Sequence, residues 1–183
     1  VHGELPAIDS KYEQYNNRCN QLFLAAYEQI KDSVEAAINK FGKERVAVVL
    51  GLSTSGIAEG EVAMEEFLKT NKFPESYAYE MQEMGSPAEF LADHLGLKNV
   101  AYTISTACSS SAKVLLSAWN LIALDLCDAV IVGGGDSLCR LTLNGFASLE
   151  SVAFEKCNPF SKNRKGITIG EGSALFLMTK DPS

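Results

Sequence analysis

Histidine is scarce in this chain: His2 and His94 are the two in 183 residues, beside five cysteines that form no Cys-x-x-Cys pair. Structural zinc needs Cys and His clustered at short spacings, so no metal site is expected. An odd cysteine count does not suit a disulfide framework, which favours even numbers in shorter extracellular chains. A reducing, cytosolic setting is the expectation, with no cofactor, and four of the five thiols read as small apolar fillers. Basic side chains are in the minority too, 16 against 23 acidic ones, for a formal net charge of −7. Nucleic-acid binders normally carry a basic face, so that class is excluded. Long apolar runs are also lacking. The stretch from Val114 to Leu126 is interrupted by Ser117, Asn120 and Asp125, which makes it a core helix and not a membrane span. The opening Val1-His2-Gly3-Glu4 has neither a basic start nor an apolar run, so no secretory signal is expected.

What the chain does have is material for a core. Apolar residues make up 46% and charged residues 21%, a balance that suits one folded domain over residues 1–183. Residues 1–9 read as an extended lead-in. Leu22, Ala25, Ala26, Ile30, Val34 and Ile38 recur every three or four positions, predicting one long helix from Ser10 to Phe41 that Gly42 ends. Arg45-Val-Ala-Val-Val-Leu50 reads as a strand buried on both faces. Further helices are expected over Glu59–Thr70, from an N-cap at Ser86 with Pro87 in the first turn to His94, and over Ser109–Leu126. Further strands are expected over Asn99–Ser105, Ala129–Val132 and Ser173–Thr179, with 137–165 helical or irregular. Strands alternating with helices predict an α/β domain with a largely parallel sheet.

Ligands of open α/β sheets bind beyond the carboxyl ends of strands, and three loops follow apolar strands here. Gly51-Leu-Ser-Thr-Ser-Gly56 fails as a phosphate loop, because Ile57-Ala58 stand where Lys-Ser/Thr is required. Gly133-Gly-Gly-Asp136 fails as a dinucleotide fingerprint, because position 138 is Leu. Both glycine clusters read as tight turns or close backbone approaches. Ser105-Thr-Ala-Cys-Ser-Ser-Ser-Ala112 differs in kind. Cys108 falls between a buried strand and a buried helix, where unpaired helix amides favour negative charge and lower a thiol pKa. A nucleophile elbow and a buried filler are both open readings of that placement.

Four motifs decide between them. Thr106-Ala-Cys-Ser-Ser-Ser, Val132-Gly-Gly-Gly-Asp-Ser, Asn158-Pro-Phe-Ser and Gly166-Ile-Thr-Ile-Gly-Glu-Gly172 follow the order and spacing of β-ketoacyl-ACP synthases, and the chain resembles that family over essentially its whole length. The resemblance implies a three-layer α/β/α, thiolase-like half with a mixed, mostly parallel sheet in strand order 2-1-3-4, the last strand antiparallel. It implies that Cys108 accepts an acyl group from a carrier-protein thioester, for condensation with a decarboxylating malonyl thioester in fatty-acid or polyketide synthesis. Thr54 and Phe146 would line the acyl pocket, although Phe146 reads equally as an ordinary core aromatic. Arg18 and Lys11 would meet the acidic acyl carrier protein, a solvated charge being the alternative reading of each, with Lys162-Asn-Arg-Lys165 as a further basic stretch. A homodimer or a heterodimer with a related subunit is implied, paired through the strand Asn99–Ser105.

The departures carry information as well. Where the family usually reads Arg-Pro-Phe-Asp and Arg-Asp-Gly-Phe, this chain has Asn158-Pro-Phe-Ser161 and Arg164-Lys-Gly-Ile167, which points to a divergent branch. Family catalysis uses two histidines and a lysine from the second half of the fold. His2 and His94 match neither and are expected to be structural or solvent-facing. The chain therefore reads as a truncated N-terminal domain lacking the first family strand and the C-terminal half. Rival readings are a non-catalytic, chain-length-factor-like subunit, against which the retained Cys108 argues, and a thiolase or cysteine acyl hydrolase.

Overall fold

A computed structural model describes residues 3–180. After a 3-10 turn at Ser10–Tyr15 come α1 (Arg18–Glu28), α2 (Lys31–Phe41), β1 (Val46–Gly51), α3 (Ile57–Thr70) and α4 (Ser86–Leu95). They are followed by β2 (Ala101–Ile104), α5 (Ser110–Ala123), β3 (Ala129–Asp136), α6 (Arg140–Ser148) and β4 (Gly172–Thr179). The sheet order is β2-β1-β3-β4, with β1 parallel to both neighbours and β4 antiparallel to β3. This is the expected mixed α/β sheet in the expected order.

The two faces of β1 explain its continuous apolar run. Val46, Val48 and Leu50 join a core with Phe23 of α1, Val34 of α2 and Phe90 and Leu91 of α4. Ala47 and Val49 join a second core with Val114 and Ala118 of α5 and with Val130 and Val132 of β3. Every residue of β1 is buried, because helices cover both of its faces, as parallel strands require.

The single helix expected over Ser10–Phe41 is instead three pieces. Asn17 takes an extended conformation and its Oδ1 accepts from Asn20 N–H at 2.8 Å, capping α1, while its Nδ2 donates to the Met81 carbonyl at 2.9 Å. Those bonds lock a break that the apolar spacing runs straight through. Ile30 makes a second break before α2, which Gly42 ends at φ 86°. At α4 the cap is Gly85; Ser86 is the first helical residue, one position on from its expected place, and buried. The third strand runs on through the glycines to Asp136, because β4 pairs with it along the whole length, Gly134 against Ala174 and Asp136 against Gly172.

The glycines serve close approach. A Cβ on Gly51 would lie 2.9 Å from the backbone carbon of Ser110, and one on Gly134 would lie 2.8 Å from the Gly51 carbonyl oxygen and against Ser111 Oγ. The first turn of α5 therefore rests directly on the carboxyl ends of β1 and β3. Gly134→Ala should lift that turn, destabilising the chain by about 1–3 kcal/mol in urea unfolding and slowing alkylation of the cysteine just ahead of α5. A variant of unchanged stability and unchanged thiol reactivity would contradict this packing.

Candidate active site: a cysteine elbow at the carboxyl end of the sheet

Cys108 lies in a 3-10 turn, Ala107–Ser109, between the end of β2 and the start of α5. Ala107 has φ 51°, a left-handed conformation that costs a residue with a Cβ about 1 kcal/mol. Serine hydroxyls brace it. Ser110 Oγ accepts from Thr106 N–H at 2.9 Å and donates to the Ala107 carbonyl at 2.7 Å, while Ser109 Oγ donates to the Thr106 carbonyl at 2.9 Å. With its hydroxyl so engaged, Ser109 makes no side-chain cap on α5. The positive end of the helix is thus left facing the turn that carries the thiol. Cys108 is exposed, whereas Cys19, Cys127 and Cys139 are buried. That exposure removes the filler reading for Cys108. Cys157, half-buried, donates its Sγ–H to the Gly166 carbonyl at 3.2 Å and is a filler only in part.

Thr54, Cys108 and Phe146 line one cleft of about 330 Å³, with Asp136, Thr142 and Ile169 among its other walls. Phe146 is half-buried on α6 and belongs to neither core cluster. A larger hollow of about 400 Å³ lies between the 10–15 turn and α3, but its lining includes no thiol. Among the described residues, no group of three or more His, Cys, Asp or Glu side chains is arranged to hold a metal ion.

Carboxylates that sequence reasoning did not single out fix the cleft walls. Asp136 Oδ1 accepts from Ser53 N–H at 2.7 Å, Thr54 N–H at 2.8 Å and Thr54 Oγ1 at 2.9 Å. Thr54 Oγ1 in turn accepts from Ser137 N–H at 3.0 Å, so its hydroxyl is spent on holding the loop. Glu171, in the Gly-Glu-Gly motif, is paired through both carboxylate oxygens to the Arg18 guanidinium and is 5% exposed. The guanidinium holds its carboxyl down to about 2, from an ordinary 4.5, and the Leu138 N–H helps in the same direction. The signal for Asp136 and Glu171 was present: each sits beside a glycine cluster already noted.

Arg18, with its charge matched by Glu171, and Lys11, with Nζ 4.7 Å from the centre of the Tyr12 ring, do not line the cleft. His94 ends α4 among the rings of Tyr12, Tyr27 and Phe90, where burial pushes its pKa down. That α4 terminus leads into the segment before β2, so His94 lies toward the amino ends of the strands, away from Cys108. It is structural, as expected. The same expectation for His2 lies outside the described residues.

The fold is thus a parallel-rich α/β sheet with an exposed cysteine in a tight turn at its carboxyl edge and a cleft beside the sulfur. The sequence profile described as "Beta-ketoacyl synthase, N-terminal domain" matches residues 4–182. The chain belongs to the β-ketoacyl synthase family and corresponds to its N-terminal domain. It is 25% identical over 172 residues to nodulation protein E of Rhizobium meliloti, covering 93% of this chain and 43% of that protein. It is 27% identical over 184 residues to the chloroplastic 3-oxoacyl-[acyl-carrier-protein] synthase I of Arabidopsis thaliana, covering 93% and 38%. A solved ketosynthase (ApeO) in complex with its chain length factor (ApeC) from Xenorhabdus doucetiae superposes with a TM-score of 0.92 at 45% identity, covering all of this chain and 46% of that one. The chain thus spans less than half the length of these relatives.

The Arg18–Glu171 pair carries a prediction. A carboxylate whose pKa is lower folded than unfolded stabilises fully above the unfolded value and loses that contribution as pH falls through the folded one. Arg18→Ala should therefore destabilise the chain by about 1–2 kcal/mol near neutral pH, less than a fully buried pair because Arg18 is 40% exposed. The gap between variant and wild type should close as pH drops from 4.5 toward about 2. Urea unfolding at several pH values checks this; a gap independent of pH contradicts it.

Proposed function

We propose that this chain is the acyl-accepting half of a β-ketoacyl-ACP synthase that joins an acyl thioester to malonyl-ACP in fatty-acid or polyketide synthesis. The observation that carries the reading is the exposed Cys108 in a braced elbow, sharing one cleft with Thr54 and Phe146. The Cys108 thiolate attacks the thioester carbonyl carbon of an acyl group on a carrier's phosphopantetheine arm. The resulting oxyanion is stabilised by the Cys108 N–H and by the amino end of α5. Collapse breaks the bond to the carrier sulfur, which leaves as a thiolate, and the acyl group stays on Cys108. The decarboxylative half-reaction needs histidine and lysine groups of the kind the family supplies from its second half. His94 is held among aromatic rings on the other face of the sheet and does not serve.

Two apolar surfaces support partners of the family kind. β2 is an edge strand, free to pair with a mate of this chain or of a related subunit. Leu115, Leu116 and Trp119, 45–60% exposed on the outer face of α5, suit burial under further protein of the family fold. Arg18, Lys11 and the 162–165 stretch are the proposed contacts for an acidic carrier, Arg18 adding least because Glu171 already matches its charge. The non-catalytic, chain-length-factor-like reading is the second one, and it requires Cys108 to be inert.

Incubated with an acyl-carrier protein, the chain should gain one acyl group by intact mass, mapping to Cys108, and Cys108→Ala should gain none. Addition of malonyl-carrier protein should give no ketoacyl product from these residues alone. An adduct that survives Cys108→Ala, or free acid released in repeated turnover, would contradict the proposal; the second result would favour the hydrolase chemistry.

A further inference from the structure

We infer that Glu61, on α3, is a positioning residue that sets the chain-length selectivity of the cleft by fixing where α6 begins. Its two carboxylate oxygens accept the first two amides of α6, Arg140 N–H at 3.0 Å and Leu141 N–H at 2.7 Å, across 79 and 80 residues of sequence. The helix has no cap of its own: Cys139, at its N-cap, makes no side-chain capping bond, and its Sγ lies 3.1 Å from Thr142 Oγ1 instead. A carboxylate from a neighbouring element therefore does the work of an N-cap, and its charge suits the positive end of the helix.

This borrowed cap matters because little else holds α6. None of its residues is buried, and its two half-buried positions, Thr142 and Phe146, are the two that line the cleft beside Cys108. The Arg140 guanidinium pairs with Glu65 on the same face of α3, but both side chains are largely exposed and such pairs hold weakly. At its amino end, α3 starts three residues after Thr54, which Asp136 pins to the sheet. Glu61 thus joins the wall carrying Thr54 to the wall carrying Phe146. Without it, α6 and its Phe146 are free to move while the Cys108 elbow, braced by its own serines, stays in place.

The inference rests on the acyl-acceptor reading only for its physiological meaning, so the test uses thiol reagents that need no acyl transfer. Rates of Cys108 alkylation by N-methylmaleimide and N-octylmaleimide are compared, by peptide mass mapping, in the full chain and its variants. Glu61→Ala should cut the octyl-to-methyl rate ratio by about fivefold while the methyl rate stays within about twofold of wild type. Glu61→Gln, which keeps one acceptor oxygen, should recover part of the ratio, and Glu65→Ala should leave it unchanged. A ratio unaltered in folded Glu61→Ala, or both rates falling together, overturns the inference. Should Glu61→Ala not fold, Glu61→Gln decides by the same ratio. In a parallel arm with an acyl-carrier thioester, wild-type chain that takes no acyl group fails the acyl-acceptor reading and leaves the maleimide ratio to judge Glu61.

Discussion

The close seat of α5 on the sheet is the constraint from which the site follows. Gly51 and Gly134 leave no Cβ between the carboxyl ends of β1 and β3 and the first turn of the helix, so backbone meets backbone there. Held so near, the connection from β2 has room only for a tight turn, and Ala107 takes the left-handed conformation that the turn demands. The serine hydroxyls around it offset that strain, and Ser109, engaged there, makes no side-chain cap on the end of α5 that faces the thiol. Strain, exposure and a positive helix end are thus consequences of one packing choice.

A second theme is the use of acids as internal fasteners. Asp136 collects the amides of Ser53 and Thr54, Glu61 those of Arg140 and Leu141, and Glu59 that of Arg18 at 2.8 Å, while Glu171 holds the Arg18 side chain. Each bond runs between elements far apart in sequence, and those of Asp136 and Glu61 fix segments that carry cleft-lining residues. Part of the chain's acidic excess is therefore structural wiring, not a solvated face. Charged acceptors suit this task because they bind amides more strongly than neutral oxygens do. At the far end of the sheet Arg45 plays the converse part, donating to Asp128 at 2.7 Å and to both the carbonyl and the carboxylate of Asp125.

How much of this was legible follows from how local each signal is. The Val-rich run of β1 announces burial on both faces in six consecutive residues, and Cys108 falls visibly between a strand and a helix, while the sheet order was available only as what the family resemblance implies. The break at Asn16-Asn17 was hidden, because Asn17 acts through Met81, 64 residues away, and the apolar spacing is the same with or without it. The full length of β3 was hidden for a similar reason: three glycines read as a loop until β4 pairs along them. Thr54 and Phe146 were visible only through the family resemblance, and the cleft brings them together with Cys108. Glu61 acts across some 80 residues and stands in no motif, so nothing in the sequence pointed to it, whereas Asp136, acting over a similar span, at least ends a glycine cluster.

The central claim is that the elbow presents Cys108 to an acyl chain lying between the Thr54 and Phe146 walls. A crystal structure of the acylated chain tests it most directly. The account predicts continuous density from Cys108 Sγ into the cleft, with the first carbons of the acyl group passing between those two side chains. An acyl group on another thiol, or one leading from Cys108 away from Thr54 and Phe146 over the surface of α5, would contradict it.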